Sequence, residues 1–256
     1  MIPLWSEQGR ADFAALPENA IAVLPLGATE QHGPHLPFCV DTTLTEAVLA
    51  RTTTAAPALQ MPTLSVTKSD EHKAHKGTLT LSVTTLLAVL GDITASVART
   101  GIKRLVFFNG HGGNTALLEI AVRAARIDHD LTAAHASWFA FADLSAYDPV
   151  ALAHDLHAGD TETSAMCAAR PDLVDMTKAQ DFRTTMATWE AAGHLTGLTG
   201  QPARPGWIVD DLNTDGTLGN AAAATSQKGE DLLDSAAAGF AEWLEDFATF
   251  SITGTT

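Results

Sequence analysis

Hydrophobic positions along the chain alternate between short continuous runs and longer helical spacings. Residues 20–26 are a short apolar run closed by Gly27, the pattern of a strand buried on both faces. Residues 42–56 carry helical spacing at Leu44, Val48 and Leu49, with Asp41 placed to cap that helix. A second strand is predicted at 61–66. Leu86, Leu87, Val89, Leu90, Ile93 and Val97 predict an amphipathic helix over 85–99, ended by Gly101. A β-branched and aromatic strand over 103–109 then runs through a glycine-rich turn into a helix over 115–127. The next strand is expected at 131–139, and the next helix at 161–169, stopped by Arg170 and Pro171. The alanine-rich stretch 221–247 reads as helix with a break near Gly229 or Gly239. Strands alternating with helices predict an α/β fold with a mainly parallel sheet and helices on both faces, residues 1–256 forming a single domain.

Ligands in such folds collect at the carboxyl ends of the strands. Two predicted strands, 20–26 and 103–109, lead directly into segments rich in glycine and histidine. In the first segment, Glu30 and His32 share a face if the backbone is extended, and Asp41 lies beyond a turn set by Gly33, Pro34 and Pro37. Carboxylate and imidazole would then converge on a cation; the alternative is a surface loop with solvated charges. The second segment, Asn109-Gly110-His111-Gly112-Gly113-Asn114, offers close backbone approach and one imidazole, but lacks the Lys and Ser/Thr of a phosphate loop. His111 is a ligand there or a packed side chain. In the third, His157 to Ser164, Glu162 falls in the first turn of a helix capped by Asp160 or Thr161; the helix dipole alone would also explain a carboxylate there. Together Asp41, Glu30, Glu162, His32 and His111 from the three segments make a mixed O/N set typical of hydrolytic two-metal sites.

Composition narrows the rest. With 15 basic and 30 acidic side chains the formal charge is -15, which argues against nucleic acid and anionic membranes as partners. No apolar run approaches the roughly 20 residues of a spanning helix. Only Cys39 and Cys167 occur, so a reducing cytoplasm is expected, and Cys39 reads as packing rather than as a nucleophile. A purely structural metal site would be thiolate-rich. A two-metal phosphoesterase would need cations near the motifs, where only Lys68, Lys73 and Lys76 stand. Trp138, Trp189 and Trp207 are candidates for pocket walls or for core.

Four ordered stretches now resemble the creatininase (creatinine amidohydrolase) family: Glu30 to Asp41, Asn109 to Asn114, His157 to Ser164 continuing to Pro171-Asp172-Leu173-Val174, and Gly216 to Gly229, with Gly77-Thr78-Leu79-Thr80-Leu81-Ser82 between the first two. The resemblance implies a three-layer α/β/α sandwich and two divalent ions per subunit, usually zinc with manganese or iron tolerated. It implies hydrolysis of a C-N amide bond, linear, cyclic or peptide-like, and a homo-oligomer with a hexamer as the candidate size. By the same resemblance Glu30, Asp41 and His111 match ligands of one ion, His32 and the bridging Asp41 match ligands of the other, and His157 matches a proton-handling histidine. In such a centre two ions roughly 3.5 to 4 Å apart share a hydroxide that attacks the carbonyl, while His157 would protonate the leaving amine. Creatininase carries a Tyr and a ligating Glu where this chain has Gly112 and Gly113, which argues against creatinine as substrate. Glu162 is expected to supply the missing carboxylate. His35, Glu71, His72 and His75 are candidates for pocket lining or for orienting ligands, and Asn109 and Asn114 for orienting the loop or an oxyanion.

Overall fold

The computed structural model describes residues 1–253. Four parallel strands form the central sheet in the order β2-β1-β3-β4. They are β1 (Ile21–Leu26), β2 (Ala58–Gln60), β3 (Arg104–Asn109) and β4 (Thr132–Ser137). All of β1 and most of β3 are buried, as their unbroken apolar runs require of strands covered on both faces. Five long helices connect and flank them: α1 (Val40–Arg51), α2 (Val83–Arg99), α3 (Thr115–His129), α4 (Asp160–Ala169) and α5 (Ser226–Phe247).

Alternate residues of the strands face two separate cores. Ile21, Val23, Val106 and Phe108 pack with α1, α4 and α5, whereas Ala22, Leu24, Leu105 and Phe107 pack with α2 and α3. This is the three-layer sandwich. A third, smaller cluster of Met186, Leu212 and Leu218, with Trp189, Leu198 and Trp207 against it, lies beside an antiparallel pair, β5 (Asp181–Phe182) and β6 (Gly219–Asn220). Among the described residues no helix is long and apolar enough to cross a membrane.

Several boundaries differ from expectation for identifiable reasons. The strand expected at 61–66 is instead β2 at Ala58–Gln60, followed only by a bridge from Leu64 to Leu26. Met61 and Leu64 still donate to the Val23 and Pro25 carbonyls, but Pro62 between them has no N–H and the ladder breaks. The helix expected at 42–56 starts two residues earlier, so Asp41 lies inside its first turn rather than capping it. Neither Asp160 nor Thr161 caps α4; Gly159 is the cap residue, and Asp155 Oδ2 reaches in to accept the Thr161 N–H at 2.9 Å.

The stretch 221–247 contains no break within its helix, which runs continuously over Ser226–Phe247 after a short 3-10 turn. Its glycines serve close approach instead. A Cβ on Gly229 would run into the Ser164 carbonyl of α4, and one on Gly239 would sit 2.9 Å from the Phe141 carbonyl. Trp138 proves to be core, fully buried and stacked on Phe139 at 3.7 Å.

Candidate metal centre

Strand register places the site. Leu26 pairs with Asn109 and Asn109 with Ser137, so β1, β3 and β4 end level. The chain passes from β1 to β2 on one side and from β3 to β4 on the other, which opens a crevice beyond the strand ends between β1 and β3. Glu30 and His32 enter it from the loop after β1, Asp41 from the first turn of α1, and His111 from the loop after β3. His157 and Glu162 flank the start of α4. All six are buried, between 0% and 8% exposed. Two glycines press the loops against α1: a Cβ on Gly27 would strike Thr42, and one on Gly110 would strike Thr45 and lie 2.8 Å from the Asp41 carbonyl.

The side chains converge. His32 Nε2 lies 3.2 Å from Asp41 Oδ1 and 3.9 Å from Glu162 Oε2. His111 Nδ1 lies 3.2 Å from Asp41 Oδ2 and 3.3 Å from Glu30 Oε1. Three trios each offer ligand atoms within 4.8 Å of one another: Glu30, Asp41 and His111; His32, Asp41 and Glu162; and Glu30, His32 and His157. The tautomers are set from behind. His32 Nδ1 donates to the Glu30 carbonyl at 3.1 Å, His111 Nε2 to the Lys68 carbonyl at 2.8 Å, and His157 Nε2 to the Gln31 carbonyl at 2.8 Å. In each neutral ring the other nitrogen then turns a lone pair toward the carboxylates.

Both carboxylate oxygens of Glu30 and Oδ2 of Asp41 are buried without a hydrogen-bond partner. Buried acceptors left this way are costly, and a divalent cation between the trios would satisfy them. The donor chemistry, carboxylate and imidazole with no thiolate, suits zinc or manganese in open coordination. Without a cation, protons take its place. Burial opposes charge on both His32 and His111, but Asp41 beside His32 raises it to about 9, and Glu30 with Asp41 hold His111 well above its ordinary value. Asp41 is driven well below the carboxylate range, the nearby His32 and His111 outweighing its burial. Burial lifts Glu162 to about 7, and burial with the charges of His32 and His72 keeps His157 neutral.

Two cavity lobes meet at this cluster and share Glu30, His111 and His157. The inner lobe, about 320 Å³, has Phe139, Leu144, Leu152, Asp155 and Glu162 in its wall. The outer lobe, about 530 Å³, is walled by Lys68, Glu71, His72, Leu198, Arg204 and Trp207.

The remaining sequence candidates separate. His72 reaches the centre, its Nε2 3.6 Å from Glu30 Oε1. Gly112 and Gly113 line the outer lobe, and a side chain on Gly113 would collide with Glu71 and His111. His35 lines neither lobe; its Nε2 donates to Thr163 Oγ1 at 2.8 Å behind the α4 turn. His75 also lies outside both lobes and pairs with Asp210 at 2.8 Å. The amide nitrogens of Asn109 and Asn114 each donate inside the loop, to the His111 carbonyl at 2.7 Å and to Asn109 Oδ1 at 3.1 Å, so both orient the loop. Cys39 stands at the N-cap of α1, partly buried. Lys68 is held by Glu71 at 2.7 Å.

Sequence reasoning missed three residues here. Gln31 bridges His72 Nδ1 at 2.8 Å and the Gly216 carbonyl at 2.9 Å. Asp155, raised to about 6 by burial, tethers the start of α4. Arg204 enters the outer lobe from a loop far along the chain. Gln31 alone carried a signal, its place between Glu30 and His32.

The sequence profile of the creatininase family, creatinine amidohydrolase, matches residues 6–244. The chain belongs to this family. Metal-dependent hydrolysis of a C-N amide bond follows with that membership as its reaction class. It is 31% identical over 256 residues to a mycofactocin precursor peptide peptidase of Mycobacterium ulcerans (strain Agy99), covering 94% of this chain and 93% of that one. It is 32% identical over 247 residues to a creatinine amidohydrolase of Pseudomonas putida, covering 89% of this chain and 90% of that one. Among solved structures, a creatininase variant with Trp replaced by Ala matches at a TM-score of 0.77 and 27% identity, over 98% of this chain and all 100% of that one. A manganese creatininase and a Zn-Zn form of a creatininase variant with Glu replaced by Gln each match at 0.73 and 26% identity, again over 98% and 100%.

Proposed function

We propose that this chain hydrolyses a peptide-like or small-molecule amide at a centre in which Glu30, Asp41 and His111 hold one divalent cation and His32, Asp41 and Glu162 hold a second. The observation that carries this reading is the set of buried, unpartnered oxygens on Glu30 and Asp41, faced by imidazole nitrogens at the strand ends. When bound, such a pair of cations polarises the amide carbonyl and acidifies a water. Zinc and manganese both fit the donor set.

The chain's own groups handle the protons. His157 is neutral, with Nε2 committed to the Gln31 carbonyl and Nδ1 aimed at Glu30, 3.7 Å away. It is placed to take a proton at Nδ1 and return it to the departing amine, without which the C-N bond breaks poorly. Gln31 and the loop asparagines hold the rings in register. Residues 1–256 act as one catalytic unit in this reading, in a homo-oligomer in the cytoplasm.

Cation binding must displace the protons that His32 and His111 carry in the metal-free protein. Affinity for zinc or manganese is therefore expected to rise with pH, about tenfold per unit for each proton displaced, until His32 itself deprotonates near pH 9. Calorimetry at pH 7.5 in buffers of different ionisation enthalpy should count at least one released proton per site filled; a count of zero contradicts the ligand set.

The function itself is tested by stripping the protein with a chelator, reloading it with zinc or manganese, and following amine release from an amide panel beside phosphate release from an ester panel. Amine release that vanishes with the metal and returns on reloading is expected. Phosphate release without amine release would reassign the centre, and activity that survives complete stripping would refute it.

A further inference from the structure

The two lobes differ in charge. The inner lobe carries the carboxylates of Glu30, Asp41, Asp155 and Glu162 and no lysine or arginine. The outer lobe shares Glu30 with the inner one and adds Lys68, Glu71 and Arg204, of which Lys68 and Glu71 neutralise each other at 2.7 Å. Arg204 is exposed, and among the described residues no carboxylate lies within ion-pair distance of it; one bond, to the Leu198 carbonyl at 3.3 Å, holds the side chain. In a chain of formal charge -15, a guanidinium that lines a cavity with no carboxylate in ion-pair distance is open to an anionic ligand. Trp207 and Leu198, which line the same wall, are anchored in the small cluster formed with Met186, Leu212 and Leu218, so the apolar surface beside Arg204 is a fixed one.

Resting on the amide-hydrolase reading, we infer that Arg204 is the specificity determinant for a substrate carboxylate, and that the substrate is an N-acyl amino acid or peptide whose free carboxylate lies in the outer lobe with an apolar side chain against Trp207 and Leu198. The scissile amide then lies where the lobes join, beside Glu30, His111 and His157, and the uncharged remainder enters the inner lobe along Phe139, Leu144 and Leu152. The planar fork of arginine matches a carboxylate in two parallel bonds, which a lysine would not reproduce. The binding is made equally in ground and transition states, so its loss falls on KM rather than on kcat.

The test uses zinc-loaded full-length protein and matched peptide pairs that differ only in a C-terminal carboxylate or carboxamide. Free acids are expected to exceed their amides in kcat/KM by about 10- to 100-fold, as a charge-assisted pair supports. In Arg204→Gln the ratio should fall to about one through KM, and Arg204→Lys should retain part of it, with unchanged thermal melting confirming that both variants fold. Equal kcat/KM for acids and amides in the wild type, or an unaltered ratio in Arg204→Gln, overturns the inference and leaves the hydrolase reading standing. Cleavage of other amides but of no peptide or acyl amino acid does the same. Cleavage of no amide at all removes the hydrolase reading beneath it.

Discussion

Asp41→Asn is expected to empty both cation positions at once and to lower amide hydrolysis by about three orders of magnitude or more, roughly 4 kcal/mol of lost transition-state stabilisation. Asp41 is the one side chain common to the two trios assigned to the cations, Glu30-Asp41-His111 and His32-Asp41-Glu162, with Oδ1 turned to His32 and Oδ2 to His111, each at 3.2 Å. An asparagine keeps the shape, loses the charge, and can present only one oxygen. The remaining ligands, Glu30 with His111 and His32 with Glu162, would each be a pair, too few to hold zinc in competition with water. In the metal-free state the substitution also withdraws the carboxylate that raises His32, so that ring should titrate nearer its ordinary value. Elemental analysis gives the stoichiometry, and NMR of the imidazole protons gives the titration. A variant that holds both cations and turns over amides near the wild-type rate would show that Asp41 does not bridge.

The parts of the molecule readable from sequence are those whose signal is local. The apolar runs of β1 and β3 and the glycine-rich turn into α3 needed only neighbouring residues, and both fell within about a residue of expectation. The Glu30-His32 pair was legible because two-residue spacing already implies a shared face, and His111 because a histidine among glycines at a strand end has few other reasons to be there. What failed depended on the rest of the molecule. The position of β2 turned on Pro62 meeting a ladder that no local pattern reveals. Gly229 and Gly239 looked like interruptions because composition cannot show that α4 and the Phe141 carbonyl press against them. His75 is close to His72 in sequence, yet the turn that follows the 3-10 helix Asp70–His72 separates a ring at the centre from one tied to Asp210. Asp155 and Arg204 come from irregular segments with no periodicity at all, and only the assembled cavity assigns them a direction.

Glu162→Gln separates the two explanations of a carboxylate at the start of α4. Glu162 Oε2 accepts the Ala158 N–H at 2.6 Å, and Ala158 holds a left-handed φ of 56°, so part of the side chain's task is to fix that turn. A glutamine can keep this bond through its remaining oxygen. It cannot keep the charge that the His32 position would need, and the loop after β3 has no substitute, because Gly113 is walled in by Glu71, His111 and the Lys68 carbonyl. The expected result is therefore selective: the cation between Glu30, Asp41 and His111 stays, the one between His32 and Asp41 is lost, and turnover falls by about 100- to 1000-fold. Metal-free stability should move the other way. Burial raises Glu162 to about 7, so above the unfolded value of 4.5 the folded protein bears the cost of ionising it, in full once the pH passes about 7. The metal-free glutamine variant should then melt no lower than metal-free wild type at pH 8. If Glu162 were only a helix-start residue, both cations would bind the variant with wild-type affinity while the α4 turn loosened, and paired metal titrations and melts on the two proteins distinguish these outcomes directly.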